Sequence, residues 1–397
     1  MSNCPVKQPS YADDFNITHS ARKIPELERL LQRDVDAFVT WARSKKLAIA
    51  PSKTKITLFT PDKSRESKAF PKVYIDGNLI ELNKNPRFLG VHFDTHFHFH
   101  KHAEEVAKSC RSKLNTLRML SNTAWGCSKE TILKTYKTYI IPALCYAAPV
   151  WSPNVSDSSI EDLQKIQNSA LRIATGCHMA TTIEDLHLEA EFMPVADRLC
   201  MLSDQYLLSC SRPSHPSNAV VSLPIGPRGD KKKTLQFVHS SHIAPLLVNG
   251  VADPSTYGRD LKKIHTDSVA ATISKLGNNS VLEARPPRIS PSEKTLPRIQ
   301  RTTLAQLRNG QCKRLKDFQH TKFTPPRAPD ALCPECLSRR HSSTHVFDCD
   351  AVPTDIPFRD LWDNPIRAVD FLKTLPSFTC LLPLGPPPPP PPPEPPP

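Results

Sequence analysis

The sequence lacks any apolar run long enough to cross a bilayer. Its most apolar stretch, Ile140 to Trp151, is about half of the roughly 20 residues that a spanning helix needs, and Pro142 and Pro149 interrupt it. No membrane partner is expected. A signal-peptide h-region is missing behind the Met-Ser-Asn-Cys start, so the 12 cysteines, scattered irregularly from Cys4 to Cys380, read as thiols of a reducing, intracellular setting, nucleus or cytoplasm. Glycine is scarce, with 11 residues against 41 prolines, which assigns part of the 397-residue length to linker or tail. Acidic residues are outnumbered as well. The 39 Asp plus Glu against 52 Lys plus Arg leave a formal charge of +13, which favours a polyanionic partner through phosphate neutralisation and counterion release.

What is present begins with a helix. Apolar Leu27, Leu31, Val35, Phe38 and Ala42 recur every three or four residues within Pro25–Lys46 and make one stripe. Three extended runs follow: Lys55–Thr60 alternates, Val73–Leu82 contains the turn pair Asp76-Gly77, and Phe88–Asp94 is mainly apolar. Helical spacing then governs 101–120, 129–141, 156–175 and 194–210. Residues 211–298 loosen into Ser, Pro, Lys and Asn clusters, with the lysine run 231–233 and a weak helical pattern near 256–276. A basic helix is expected over Leu304–Phe318. The chain closes on prolines 386–393 and 395–397, expected to form a solvated polyproline II tail of the kind SH3 or WW domains bind.

Two clusters point to chemistry. Tyr11-Ala12-Asp13-Asp14 sets adjacent carboxylates at a tight turn, which suits one strand of a two-metal phosphoryl-transfer site with Mg²⁺ ions about 3.5 to 4 Å apart. Pro5 and Pro9 work against a strand on its N-terminal side. Cys333, Cys336, His345 and Cys349 form C-x₂-C-x₈-H-x₃-C, the spacing of a closed structural Zn²⁺ site, with His341 as a competing ligand. A run of histidines, His92, His96, His98, His100 and His102, alternates with Phe93, Phe97 and Phe99; it reads as a surface segment, with metal binding or stacking on bases as alternatives.

In this order the motifs resemble those of the reverse transcriptases of jockey-like non-LTR retrotransposons. Tyr11-Ala12-Asp13-Asp14 is similar to that family's polymerase motif; "LAIAPSKTKITLFT", with Lys53, to the next palm motif; and Phe88-Leu89-Gly90-Val91 to the primer-grip strand. "YIIPALCYAAPVW" and "IQNSALRIATG" are similar to the thumb and connection, and "LAQLRNGQCKRL" before the Cys/His cluster to the C-terminal part. The resemblance implies Mg²⁺ on Asp13 and Asp14 and a catalytic Lys53 near the leaving pyrophosphate. It also implies an RNA template and DNA primer held with the help of Tyr11, Phe88, Leu89 and Gly90. Arg308, Lys313 and Arg314, with Arg301, Lys316, Arg339 and Arg340, are expected to be available for phosphates.

The expected fold is α+β: a partial palm over 1–96, a helical thumb-like region over 97–210, a partly disordered linker over 211–298, a basic helix with a zinc-knuckle-like module over 299–352, and a tail over 353–397. Only ten residues precede Tyr11, so a third carboxylate and the fingers have no place in the chain as given. The expectation is therefore a C-terminal fragment of an RNA-directed DNA polymerase, inactive by itself. A non-catalytic zinc-containing nucleic-acid-binding protein is the alternative.

Overall fold

The computed structural model describes residues 10–11, 14–60, 70–122, 126–221, 243–248 and 251–382. The lysine run 231–233 and the proline tail, with its SH3/WW expectation, lie outside the described residues. The chain divides into two units, residues 1–105 with 150–159, and residues 106–149 with 160–397. Small two-stranded sheets and many helices make it a mixed α and β protein. Among the described residues no helix is long and apolar enough to cross a membrane.

The first unit is built on the helix Ile24–Ser44. Pro25 is tolerated in its first turn, where the missing N–H has no helical partner, and Glu26 there complements the helix dipole. Leu27 and Ala42 of its stripe are buried, and so is Val39 beside it. Val39 joins Val73, Ile75 and Ile80 in a small core, with Leu31, Val35, Ile49 and Ile56 against it. Side chains of the helix also hold the neighbouring backbone: Gln32 accepts from Tyr74 N at 2.8 Å and donates to Tyr74 O at 2.9 Å, and Glu28 accepts from Lys72 N at 2.7 Å.

The strands of this unit are short. Tyr74–Ile75 pairs with Asn78–Leu79 around Asp76-Gly77, both at positive φ (51° and 75°), the turn whose twist matches a hairpin. Lys55–Ile56 pairs in parallel with Glu81–Leu82. The run expected as one extended strand from Phe88 to Asp94 is instead a second hairpin, Arg87–Phe88 against Val91–His92, turned by Leu89 and Gly90 at φ 46° and 84°. A leucine in the left-handed region is uncommon, which hid the turn from the sequence.

The second unit is helical. Lys129–Thr135 passes directly into a π-helical turn, Tyr136–Ile140, and then Ile141–Leu144. The widening immediately precedes Pro142, whose ring cannot accept a regular turn before it. Asp157–Thr175, Ile183–Ala190 and Val195–Cys210 follow, and Tyr257–Lys275 packs on Val195–Cys210 through an apolar cluster that includes Met201, Leu208 and Ile264. Part of the expected linker is thus folded. The basic helix expected over Leu304–Phe318 is two helices, Arg298–Arg308 and Lys316–Thr321, because Asn309-Gly310 ends the first. Gly310 sits at φ 64°, and Gln311 N reaches back to Gln306 O at 2.9 Å, the usual left-handed helix stop.

The span 353–382, expected to be tail, supplies part of the core. Leu361, Trp362, Ala368, Val369, Leu372, Phe378 and Leu381 are buried with Leu304 and Leu307. The helix Pro365–Thr374 carries three of them at helical spacing.

Candidate functional site

In the first unit Ser10–Tyr11 and Asp14–Phe15 pair antiparallel, with Tyr11 opposite Asp14. The hairpin forms despite Pro5 and Pro9, which lie outside the described residues, as do Ala12 and Asp13. The Phe15 ring stacks on Phe38 at 4.0 Å and 11°, which fixes the hairpin to the helix Ile24–Ser44. Asp14 is exposed. Lys53 is exposed in the turn where its N–H donates to Ala50 O at 3.1 Å, two residues before the strand Lys55–Ile56. Phe88 is half-buried, whereas Leu89 and Gly90 are exposed at their hairpin tip.

In the second unit Cys333, Cys336, His345 and Cys349 offer ligand atoms that all lie within 4.8 Å of one another. Cys333 Sγ is 3.9 Å from Cys349 Sγ, and Cys336 Sγ is 3.3 Å from His345 Nε2. Zn–S bonds near 2.3 Å in a tetrahedron separate two sulfurs by about 3.8 Å, so the cage fits Zn²⁺. Local geometry prepares the sulfurs. The turn closes through Leu337 N to Cys333 O at 3.0 Å and Cys333 N to Arg339 O at 2.8 Å, with Leu337 at φ 57°. Bonds from the Ser338 hydroxyl and the backbone N–H groups of Ser338 and Arg339 hold the Cys336 thiol down to about 5, a thiolate at neutral pH. Burial pushes the Cys333 thiol up, against N–H bonds from Cys336 and Glu335. His341 stands apart: it is buried, its Nδ1 accepts from Lys316 N at 3.2 Å, and burial lowers its pKa to about 4.

The expected phosphate contacts separate by burial. Lys313 is exposed and Arg314 is half-buried. Arg308 is fully buried and belongs to the core: its guanidinium grips Glu189 at 2.8 and 2.9 Å and donates at 2.7 Å both to Glu293 and to the Leu361 carbonyl. No donor face is left for a phosphate. Arg301, also buried, is held bidentately by Glu130, and Arg339 and Arg340 pair with Asp348 at 3.2 Å and Asp317 at 2.6 Å. Lys129 completes the buried cluster, bonding the Glu189 carboxylate at 2.9 Å. Sequence alone gave no sign of Glu189 and Glu293, which stand 119 and 15 residues from Arg308.

The structure thus pairs Tyr11 with Asp14 in one hairpin, turns Phe88–Val91 as a second hairpin where the resemblance implied a strand, and gathers the Cys/His cage. Known proteins give an independent comparison. The chain is 27% identical over 197 residues to "Probable RNA-directed DNA polymerase from transposon X-element" of Drosophila melanogaster, covering 50% of this chain and 21% of that one. It is 25% identical over 214 residues to "Retrovirus-related Pol polyprotein from type-1 retrotransposable element R1 4" of Nasonia vitripennis, covering 50% and 54%. It is 23% identical over 236 residues to "RNA-directed DNA polymerase from mobile element jockey" of Drosophila funebris, covering 58% and 25%. Over about half its length the chain therefore resembles the reverse transcriptases of non-LTR retrotransposons. It spans between 21% and 54% of the length of these relatives. No family model and no solved structure matches it.

Proposed function

We propose that this chain is the C-terminal part of an RNA-directed DNA polymerase of a jockey-like non-LTR retrotransposon, acting on an RNA template and a DNA primer inside the cell, in nucleus or cytoplasm. The observation that carries the proposal is the similarity to the X-element, R1 and jockey proteins over about half of the chain. Asp13 and Asp14 would hold Mg²⁺, which supplies charge neutralisation at the transferring phosphoryl group. Lys53 stands near the leaving pyrophosphate as acid or charge clamp. Tyr11, Phe88, Leu89 and Gly90 support the template and primer end. Cys333, Cys336, His345 and Cys349 would hold Zn²⁺ in a closed site whose role is to fix the module, with no position left for a catalytic water. Lys313 and Arg314 supply phosphate contacts, and Arg308 does not.

Photo-crosslinking from the 3′ terminus of a primer annealed to an RNA template, with the crosslinked peptides mapped by mass spectrometry, tests this. Crosslinks within residues 10–15 or 87–92 are expected. Crosslinks confined to residues beyond 105 would overturn the placement of the primer end.

A further inference from the structure

The alternating Phe and His segment stays outside the functions assigned above, although its geometry is unusual. Residues 93–100 contain only Phe, His, Asp and Thr, with no aliphatic side chain. Phe97 and Phe99 are both in the left-handed region, at φ 57° and 56°, a costly conformation for a bulky residue. The Asp94 carboxylate enforces it by accepting from the backbone N–H groups of His96 and His98 at 3.0 Å and of Phe99 at 2.6 Å. Thr60 N donates to Thr95 O at 3.1 Å and ties the loop to the segment carrying Phe59.

The result is a stack of rings rising from the core. Phe99 is 1% exposed, Phe93 packs on it at 5.5 Å, and Phe59 and Phe97 stack on each other at 4.7 Å and 22° while remaining 43% and 40% exposed. The imidazoles of His98 and His100 are exposed beside them, 5.8 Å apart, followed by exposed Lys101.

We propose that Phe59 and Phe97 form a stacking platform for an unpaired nucleobase of a single-stranded nucleic acid. Flat rings on a braced loop suit bases, which stack on Phe and His, and the flanking His98, His100 and Lys101 suit the adjoining phosphates. An aliphatic rim, which a protein-docking patch usually mixes with its aromatic anchors, is missing from the loop. The proposal rests on the nucleic-acid reading above and adds to it a site for bases rather than for backbone.

The test compares binding of the full chain to a single-stranded oligonucleotide and to an abasic strand of equal phosphate number, by fluorescence anisotropy. Phe97→Gly removes the ring while relieving the positive φ, so the loop keeps its shape, and Phe97→Tyr keeps a ring. The wild type is expected to favour the base-bearing strand by roughly tenfold. Phe59→Ala and Phe97→Gly should each erase most of that preference, leave abasic binding unchanged, and contrast with Phe97→Tyr, which retains it. Equal binding of both strands by the wild type would overturn the platform while sparing the nucleic-acid reading, as would a preference that survives both variants. Binding of neither strand would overturn both.

Discussion

Arg308 and Glu189 meet through two parallel hydrogen bonds, Nε to Oε2 at 2.8 Å and Nη2 to Oε1 at 2.9 Å, with both side chains shut away from solvent. The contact joins the helix Arg298–Arg308 to the helix Ile183–Ala190, and Glu293, Lys129 and the Leu361 carbonyl extend it. Burial alone would lower the pKa of Arg308; Glu189 and Glu293 outweigh it and raise the value. Removing one partner from a buried pair leaves an uncompensated charge and typically costs about 3–5 kcal/mol. Arg308→Ala should therefore lower the unfolding free energy in denaturant by about that amount, whereas Lys313→Ala, at an exposed position, should change it by less than about 0.5 kcal/mol. Equal effects of the two would contradict the assignment of Arg308 to the core.

The same cluster sets an acid limit. Burial would raise the Glu189 carboxyl, but Arg308 and Lys129 hold it to about 2, and the hydrogen bond from Arg301 holds Glu130 to about 2. Both values lie below the unfolded glutamate value of about 4.3, so each contributes stability that is present above that pH and disappears as pH falls toward 2. Thermal unfolding followed from pH 6 downward should lose stability between about pH 5 and pH 2. The loss should be shallower in Glu189→Gln, which has no proton to bind at that position.

Zinc content separates the two candidate histidines. The wild-type protein should retain one equivalent of Zn²⁺ after gel filtration. His345→Ala and Cys336→Ser should lose most of it, and His341→Ala should keep it, because His341 stands outside the four-donor cage. Retention of full zinc by His345→Ala would reject the cage.

Two glycines with similar backbone angles should respond differently to alanine. Gly176 and Gly77 sit at φ 77° and 75°, but a Cβ on Gly176 would lie 2.5 Å from the Thr302 side chain, while a Cβ on Gly77 meets nothing within 4 Å. Gly77→Ala bears only left-handed strain, about 1–2 kcal/mol. Gly176→Ala adds overpacking and should cost about 2–4 kcal/mol, read as a larger fall in the denaturation midpoint.

Local chemistry decided what could be read ahead of the structure. Asp76-Gly77 announced its hairpin because both residue types accept positive φ, while Leu89-Gly90 did not, because leucine resists that region. The C-x₂-C pair and the later His and Cys were legible as one cage because ligand spacing is a property of short sequence. The burial of Arg308 was not, since an arginine on a basic helix looks solvated until Glu189 and Glu293 arrive from distant segments. The core role of residues 361–381 was passed over because their helical spacing is brief and lies next to a proline tail.

The central claim is that this chain engages a primed RNA template as a reverse-transcriptase part, and binding across a salt series tests it most directly. Anisotropy with a labelled DNA primer on an RNA template should show binding at about 50 mM salt that weakens at least about tenfold by about 200 mM, as several phosphate contacts require. No binding at low salt, or binding indifferent to salt, would contradict it.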